Sequence, residues 1–139
     1  MDMRKIIFFI IIVVLLTGSC CLAFHLHNEK RVRDRMLEIA AIVNNSAPIE
    51  AADFVLIDSA AVLGNRVFLF SCTMWNVEKD DISAGTIERY LLPDIIKDVK
   101  RDSASYYLRK SKITLCYSFS DKNGEHIHDF FISPSDLSD

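Results

Sequence analysis

Residues 54–75 read FVLIDSAAVLGNRVFLFSCTMW, two apolar runs on either side of a Gly-Asn pair. Both runs are rich in residues that favour strands, and Gly64-Asn65 suits a two-residue turn with positive φ. The sequence therefore predicts a hairpin of strands 54–63 and 66–75. In that register the core side of the hairpin carries Val55, Ile57, Ala61, Phe68, Phe70, Cys72 and Met74.

A second hairpin is predicted near the C-terminus. Residues 113–120 and 125–132 are two further apolar runs, and Asp121-Lys122-Asn123-Gly124 joins them. Asp at the first position and Gly at the fourth favour a type I turn with Gly124 in a bulge.

The segment between the hairpins is predicted to be helical over residues 86–101. Ile87, Leu91, Ile95 and Val99 recur four residues apart, as on one face of a helix. Pro93 removes a backbone donor, so we expect a kink or two short helices there. A further helical turn is expected over residues 102–108.

A helix is also predicted before the first hairpin, over residues 28–45. Asn28 is a suitable N-cap, and Pro48 ends the element. Its apolar stripe, which we expect to pack on the sheet, consists of Val32, Met36, Ile39, Ala40 and Val43.

The predicted fold class is α+β. After an N-terminal membrane helix the order is α-β-β-α-β-β, and the simplest arrangement is a four-stranded antiparallel sheet packed by helices. The chain has 139 residues, which leaves a single small α+β domain over residues 28–139 once residues 1–27 are set aside as a membrane anchor or signal segment.

The anchor prediction rests on residues 6–24, which are apolar and carry no charge. At about 1.5 Å per residue they nearly match the roughly 30 Å hydrocarbon core of a bilayer. An uncleaved transmembrane helix is the preferred interpretation. Gly18-Ser19-Cys20 also resembles the end of a lipoprotein signal, which makes Cys20 a lipidation candidate, and a removed signal is the third alternative.

Basic residues on both sides of this segment bear on its topology. Arg4 and Lys5 favour a cytoplasmic N-terminus, whereas the basic residues between Lys30 and Arg35 favour the opposite orientation, with the domain in the cytoplasm. Because a short basic start followed by an apolar run is typical of exported proteins, we expect the domain on the extracytoplasmic, periplasmic side.

Charge excludes one class of partner. Residues 28–139 contain 14 Lys and Arg against 18 Asp and Glu, a net charge of −4. A general nucleic-acid-binding field is therefore not expected.

In outline this pattern resembles small bacterial envelope proteins, including lipoproteins of the pilotin kind that escort secretion pores. The residues that carry the resemblance are the apolar start with Cys20, the strand 113–119, the turn 121–124 and Ile132-Ser133-Pro134. The resemblance implies membrane attachment and a protein partner, and it assigns no functional residue.

Two histidines are the candidates for metal binding. His126 and His128 alternate on the last predicted strand, which places both on one face, shared with Cys116. Because no third ligand accompanies them, we expect no metal site, and no cofactor is implied.

Catalytic motifs are absent from the sequence. No nucleophile elbow and no glycine-rich phosphate loop is present, so an enzyme is not expected. Cys72 should lie on the core side of its hairpin and Cys116 on the opposite side of the sheet. We therefore predict that the two are not disulfide-bonded.

Two functions are compatible with these observations. The first is a membrane-anchored, non-enzymatic binding or assembly module of a cell-envelope complex. The alternative is an inhibitor or immunity-type protein that acts at the membrane. In either case the candidate contact residues for a protein partner are Trp75, Tyr90, Tyr106 and Tyr107.

Overall fold

The computed structural model describes residues 3–138, except the side chain of residue 104. Helix α1 spans Met3–Ser46 without a break. The anchor and the predicted helix from residue 28 are thus one element, and Asn28 lies inside it instead of capping it. No Gly or Pro separates the two parts. The predicted packing stripe is confirmed, since Val32, Met36 and Ala40 are buried.

The remaining elements form a five-stranded sheet and three further helices. The strands are β1 (Ile49–Ala52), β2 (Val55–Leu63), β3 (Val67–Met74), β4 (Thr114–Ser120) and β5 (His126–Ile132). Between β3 and β4 lie a short 3-10 turn (Lys79–Asp81), α2 (Ala84–Tyr90), α3 (Leu92–Arg101), a second 3-10 turn (Ser103–Ser105) and α4 (Tyr106–Lys110). The expected interruption at Pro93 is therefore confirmed as two short helices.

The sheet is mixed, and not the predicted four-stranded antiparallel one. Its strand order is β1-β2-β3-β4-β5, with β3 and β4 parallel and the other pairs antiparallel. A long helical connection between β3 and β4 returns the chain to the end of the sheet where β3 began, which makes the pair parallel. β1 was missed because four residues, two of them alanine, carry little strand signal.

The first hairpin departs from its predicted register at two places. Leu63 pairs with Val67, so the loop has three residues and not two. Asp58 is an unpaired bulge residue, which restores the predicted pairing of Ile57 with Cys72. Between the two changes Ala60 is buried and Ala61 is exposed, the reverse of the prediction.

All helices pack on one face of this sheet, around a core that includes Met36, Phe68, Ile87 and Phe119. Among the described residues the opposite face carries no helix, and Ala61 and Phe131 on it are exposed. Cys72 pairs with Phe119 on the core face, whereas Cys116 pairs with Leu69 and Phe131 on the uncovered face. The predicted separation of the two cysteines onto opposite faces is confirmed.

Candidate partner-binding groove

A groove runs along the edge strand β1, between that strand and the helices that cover the sheet. Three adjoining cavities of about 500, 80 and 360 Å³ share Ala51 and Asp98, so together they form one continuous groove. The groove begins beside Tyr90 and ends between α1 and Leu108 of α4.

Apolar side chains form the floor of the groove. They come from three neighbouring strands and consist of Val55, Ile57, Cys72, Met74 and Tyr117. The groove is open because β1 contributes only the small side chains of Ala51 and Ala52 there. β1 also pairs with β2 alone, so within the described chain its outer edge leaves backbone donors and acceptors available.

Helix α3 supplies the opposite wall. Leu91, Ile95 and Val99 face the floor, as their four-residue spacing requires. Charged residues line the outer part of the groove, three acidic and two basic, and they are Asp53, Asp94, Lys97, Asp98 and Arg101. The arrangement is an apolar trough with a charged margin.

The ionisable groups on the floor are neutral at physiological pH. Burial, together with the negative charge of Asp58, raises the pKa of the Cys72 thiol to about 12. Burial also raises the pKa of Tyr117. A thiol that stays protonated is a poor nucleophile, so Cys72 contributes to the floor as a buried, uncharged side chain.

The four predicted contact residues divide between two places. Tyr90 is 69% exposed and lines the groove, and Trp75, 51% exposed, follows the groove residue Met74 and binds Phe54 through its backbone. Tyr106 and Tyr107 lie instead beside a second cleft, at the end of the domain where α1 leaves it.

The two histidines of β5 do not share a face, which corrects the prediction. His126 pairs with Ser120 and His128 with Phe119, because a bulge at Ile127 separates them. His126 Nε2 lies 2.7 Å from Asp129 Oδ1, and His128 packs edge-on against Phe130. Within residues 3–138 no group of three or more His, Cys, Asp or Glu side chains is placed to hold a metal.

Cys20 lies on the exposed surface of α1, next to the equally exposed Cys21. The helix continues on both sides of it. The first part of α1 is long and apolar enough to cross a membrane, and none of its apolar window is buried.

Sequence reasoning missed most of the groove residues. Ala51 and Ala52 belong to a strand that was not predicted, and the charged residues of α3 were given no role. The available signal was the pair of small residues directly before Asp53-Phe54. This pair indicates a groove only once the structure shows that α3 lies beside β1.

Comparison with known proteins gives a likeness of fold and not of sequence. No protein-family profile matches the chain, and no curated protein matches it in sequence. Three solved structures are similar to it. A candidate secreted protein of Pseudomonas aeruginosa has a TM-score of 0.64 at 10% identity, covering 79% of this chain and 96% of its own.

The other two are pilotins of type II secretion systems. EpsS of Vibrio vulnificus has a TM-score of 0.65 at 11% identity, and AspS of Vibrio cholerae has a TM-score of 0.65 at 9% identity. Each comparison covers 81% of this chain and 97% of the other. The resemblance to pilotin-type envelope proteins that the sequence suggested is thus confirmed at the level of the fold.

Proposed function

We propose that this chain is a membrane-tethered, non-enzymatic binding and assembly module of a cell-envelope complex, and that it holds a segment of a protein partner in the groove along β1. The observation that carries the proposal is the row of adjoining cavities between β1 and α3, with Ala51, Ala52 and the half-buried Ile57 and Ile95 as accessible apolar lining and charges along the margin. An apolar trough on a domain surface is typical of a protein-binding site.

The partner segment is expected to be an amphipathic helix. Its apolar face would lie against Ala51, Ala52 and Ile57, which remain accessible above the buried floor, and its polar flank would lie against α3. There Asp94 and Asp98 alternate with Lys97 and Arg101, so a flank with both signs of charge fits best. Tyr90 lines one end of the groove, where an exposed aromatic side chain can provide an anchoring contact.

The location of the partner in the cell is inferred from the solved structures with a similar fold. Two of them are pilotins of type II secretion systems, which supports a partner that belongs to an envelope complex. The domain is therefore placed outside the cytoplasm in this proposal, with residues 6–24 of α1 in the membrane.

The tether is supported by the exposure and internal hydrogen bonding of α1. Ile6 to Leu16 are all at least 39% exposed, so this part of the helix has no core to bury it. The Thr17 hydroxyl donates to the carbonyls of Val13 and Val14 at 3.0 Å. A polar group satisfied within its own helix is compatible with the hydrocarbon layer.

The tether is tested by fractionating cells that express the full chain or a chain lacking residues 6–24. The full chain is expected in the membrane fraction, resistant to high salt, and the shortened chain in the soluble fraction. Recovery of both in the soluble fraction would contradict the tether. Loss of membrane attachment in Cys20→Ser would show that the tether is an acyl chain and not a spanning helix.

The partner is identified by photocrosslinking in cells. A photoreactive phenylalanine analogue replaces Tyr90 in the groove or, as the control, Thr73 on the uncovered face of the sheet. The groove position is expected to give one discrete adduct with an envelope protein, which the control position lacks. An adduct with a secreted toxin or soluble enzyme would instead indicate the inhibitor function.

A further inference from the structure

The second cleft lies between α1 and α4, at the end of the domain nearest the anchor. Its volume is about 440 Å³. Three parts of the chain meet there: the start of the domain portion of α1, the β2–β3 turn, and the segment from α4 into β4. The lining residues are Asn28, Arg31, Val32, Arg66, Tyr106, Tyr107, Lys110, Ser111 and Lys112.

The cleft is positively charged, whereas the chain as a whole has a negative net charge. Four of its lining residues are cations, Arg31, Arg66, Lys110 and Lys112, and none is acidic, although the chain as a whole carries a net charge of −3. Glu29 neutralises one of the four by pairing with Arg66. Three cations therefore converge without a carboxylate among the lining side chains.

The helix fixes how far this cleft stands from the membrane. α1 is unbroken from the apolar segment to the domain, and Arg31 is seven residues beyond Phe24. At about 1.5 Å per residue, Arg31 stands roughly 10 Å above the hydrocarbon layer. Headgroups occupy about 5–7 Å on each side of a bilayer, within reach of a long basic side chain.

The cleft also carries groups typical of the bilayer interface. Tyr106 is 57% exposed, and Arg109 and Lys110 lie over its ring at 5.9 and 5.7 Å. Tyrosine is enriched at the headgroup level of membranes. Ser111 and Asn28 add neutral hydrogen-bonding groups beside the cations.

We propose that this cleft binds the headgroup of an anionic phospholipid of the bilayer in which α1 is anchored, with Arg31, Lys110 and Lys112 around its phosphate. This inference rests on the proposed tether and is independent of the partner groove. Bound lipid would hold the domain upright on its helix, so that the groove along β1 faces away from the membrane surface.

The test measures lipid retained by the full chain. The protein is purified from membranes in mild detergent, mixed with equal amounts of phosphatidylglycerol and phosphatidylcholine of the same acyl chains, and examined by native mass spectrometry. We expect one phosphatidylglycerol retained per chain, in preference to phosphatidylcholine. In Lys110→Gln/Lys112→Asn this preference should fall about tenfold, because each basic residue near a phosphate contributes of the order of a few-fold in affinity.

The variants are chosen to separate charge from folding. Asn tolerates the positive φ of 55° at Lys112, and Arg31→Gln changes the same cleft from α1 alone. The matched control, Lys79→Gln/Arg89→Gln, removes two exposed cations that line neither the cleft nor the groove and should keep the preference.

No preference in the unaltered chain, or an equal loss in the control pair, would overturn the lipid site. Failure of the lipid site is distinguished from failure of the tether by flotation with vesicles of phosphatidylcholine alone, which measures whether the chain inserts into a bilayer. A chain that inserts but shows no preference for phosphatidylglycerol refutes the lipid site only, whereas a chain that does not insert refutes both proposals.

Discussion

Arg66 Nη2 lies 2.5 Å from Glu29 Oε1, so the turn between β2 and β3 is joined directly to α1. The same guanidinium donates through Nε to Glu29 Oε2 at 3.2 Å and through Nη1 to the backbone carbonyl of Ser111. One side chain thus ties α1, the first hairpin and the start of β4 together. This junction fixes the orientation of the sheet relative to α1.

Replacing Arg66 by Met should loosen that junction. Three charge-assisted hydrogen bonds are lost, two of them to a carboxylate, and we expect the melting temperature of the detergent-purified full chain to fall by about 5 °C. The matched control is Arg35→Met, which breaks the exposed pair with Glu38 and the contact of the guanidinium with the Tyr107 ring at 5.8 Å, but no hydrogen bond to the hairpin. Circular dichroism melts compare the two, and an equal change in both variants would contradict the role given to Arg66.

Asn44 is predicted to hold α1 against β2. Its side chain accepts from the backbone N–H of Ala60 at 2.7 Å and donates to the carbonyl of Ala60 at 2.9 Å. The amide takes the place of a neighbouring strand, since β1 pairs with β2 only as far as Ile57. Asn44→Ala should lower the free energy of unfolding by about 1–2 kcal/mol.

Asn45→Ala is the control for that substitution. Asn45 is the next residue on the same exposed helix end, so its replacement should change the free energy of unfolding by less than about 0.5 kcal/mol. Denaturant titrations of both variants decide the matter, and an Asn44→Ala protein as stable as the control would refute the strand-replacing role.

Asp121 makes stability depend on acid pH. Burial would by itself raise the pKa of this carboxyl, but the backbone N–H groups of Glu125, Lys79 and Asn123 together lower it. A carboxyl whose pKa is lower in the folded chain stabilises the fold above the unfolded pKa of about 4, and that contribution is lost as the pH falls toward the folded value.

The corresponding test compares melting temperatures at pH 7 and pH 3. Asp121→Asn should melt below the unaltered chain at pH 7 and show a smaller decrease on acidification, while Asp80→Asn, at an exposed position, should follow the unaltered chain. If the melting temperature falls by the same amount between pH 7 and pH 3 with and without Asp121, the Asp121 carboxylate is not the group that makes stability depend on acid pH.

Cys72 and Cys116 are expected to remain thiols in an oxidising compartment. They lie on opposite faces of the sheet, and a disulfide cannot form through it. Peptide mapping of the exported full chain, denatured without reductant, should find no cross-link between the two. In the folded chain Cys72 should also react slowly with alkylating reagents at pH 8, because its pKa is about 12. A Cys72–Cys116 peptide would refute the face assignment.

The sequence predicted burial correctly where apolar side chains recur at a clear helical spacing. Val32, Met36 and Ala40 recur at helical spacing, and their burial follows from that pattern alone. The bulge at Asp58 could not be seen, because Ala60 and Ala61 are adjacent, alike and small, so either one fits the core. The bulge at Ile127, which separates His126 from His128, is likewise an extra residue that alternation does not reveal.

The groove was beyond sequence reasoning for a different reason. Its floor comes from β2, β3 and β4, its open edge from β1 and its wall from α3, so it exists only after the long connection has crossed the sheet. Tyr90 was identified correctly as an exposed aromatic residue, but nothing local to it indicated Ala51, which lies far away in the chain and faces the same cavity.

The most direct test of the central claim is to fill the groove. Ala51→Trp places a large side chain in it, and Ala61→Trp adds the same bulk to the uncovered face of the sheet, where Ala61 is exposed. The yield of the crosslink from position 90 to the envelope partner is then measured in cells for both variants at equal expression. We expect Ala51→Trp to reduce that yield at least tenfold, and Ala61→Trp to leave it unchanged. Equal yields from the two variants would show that the partner does not bind in the groove.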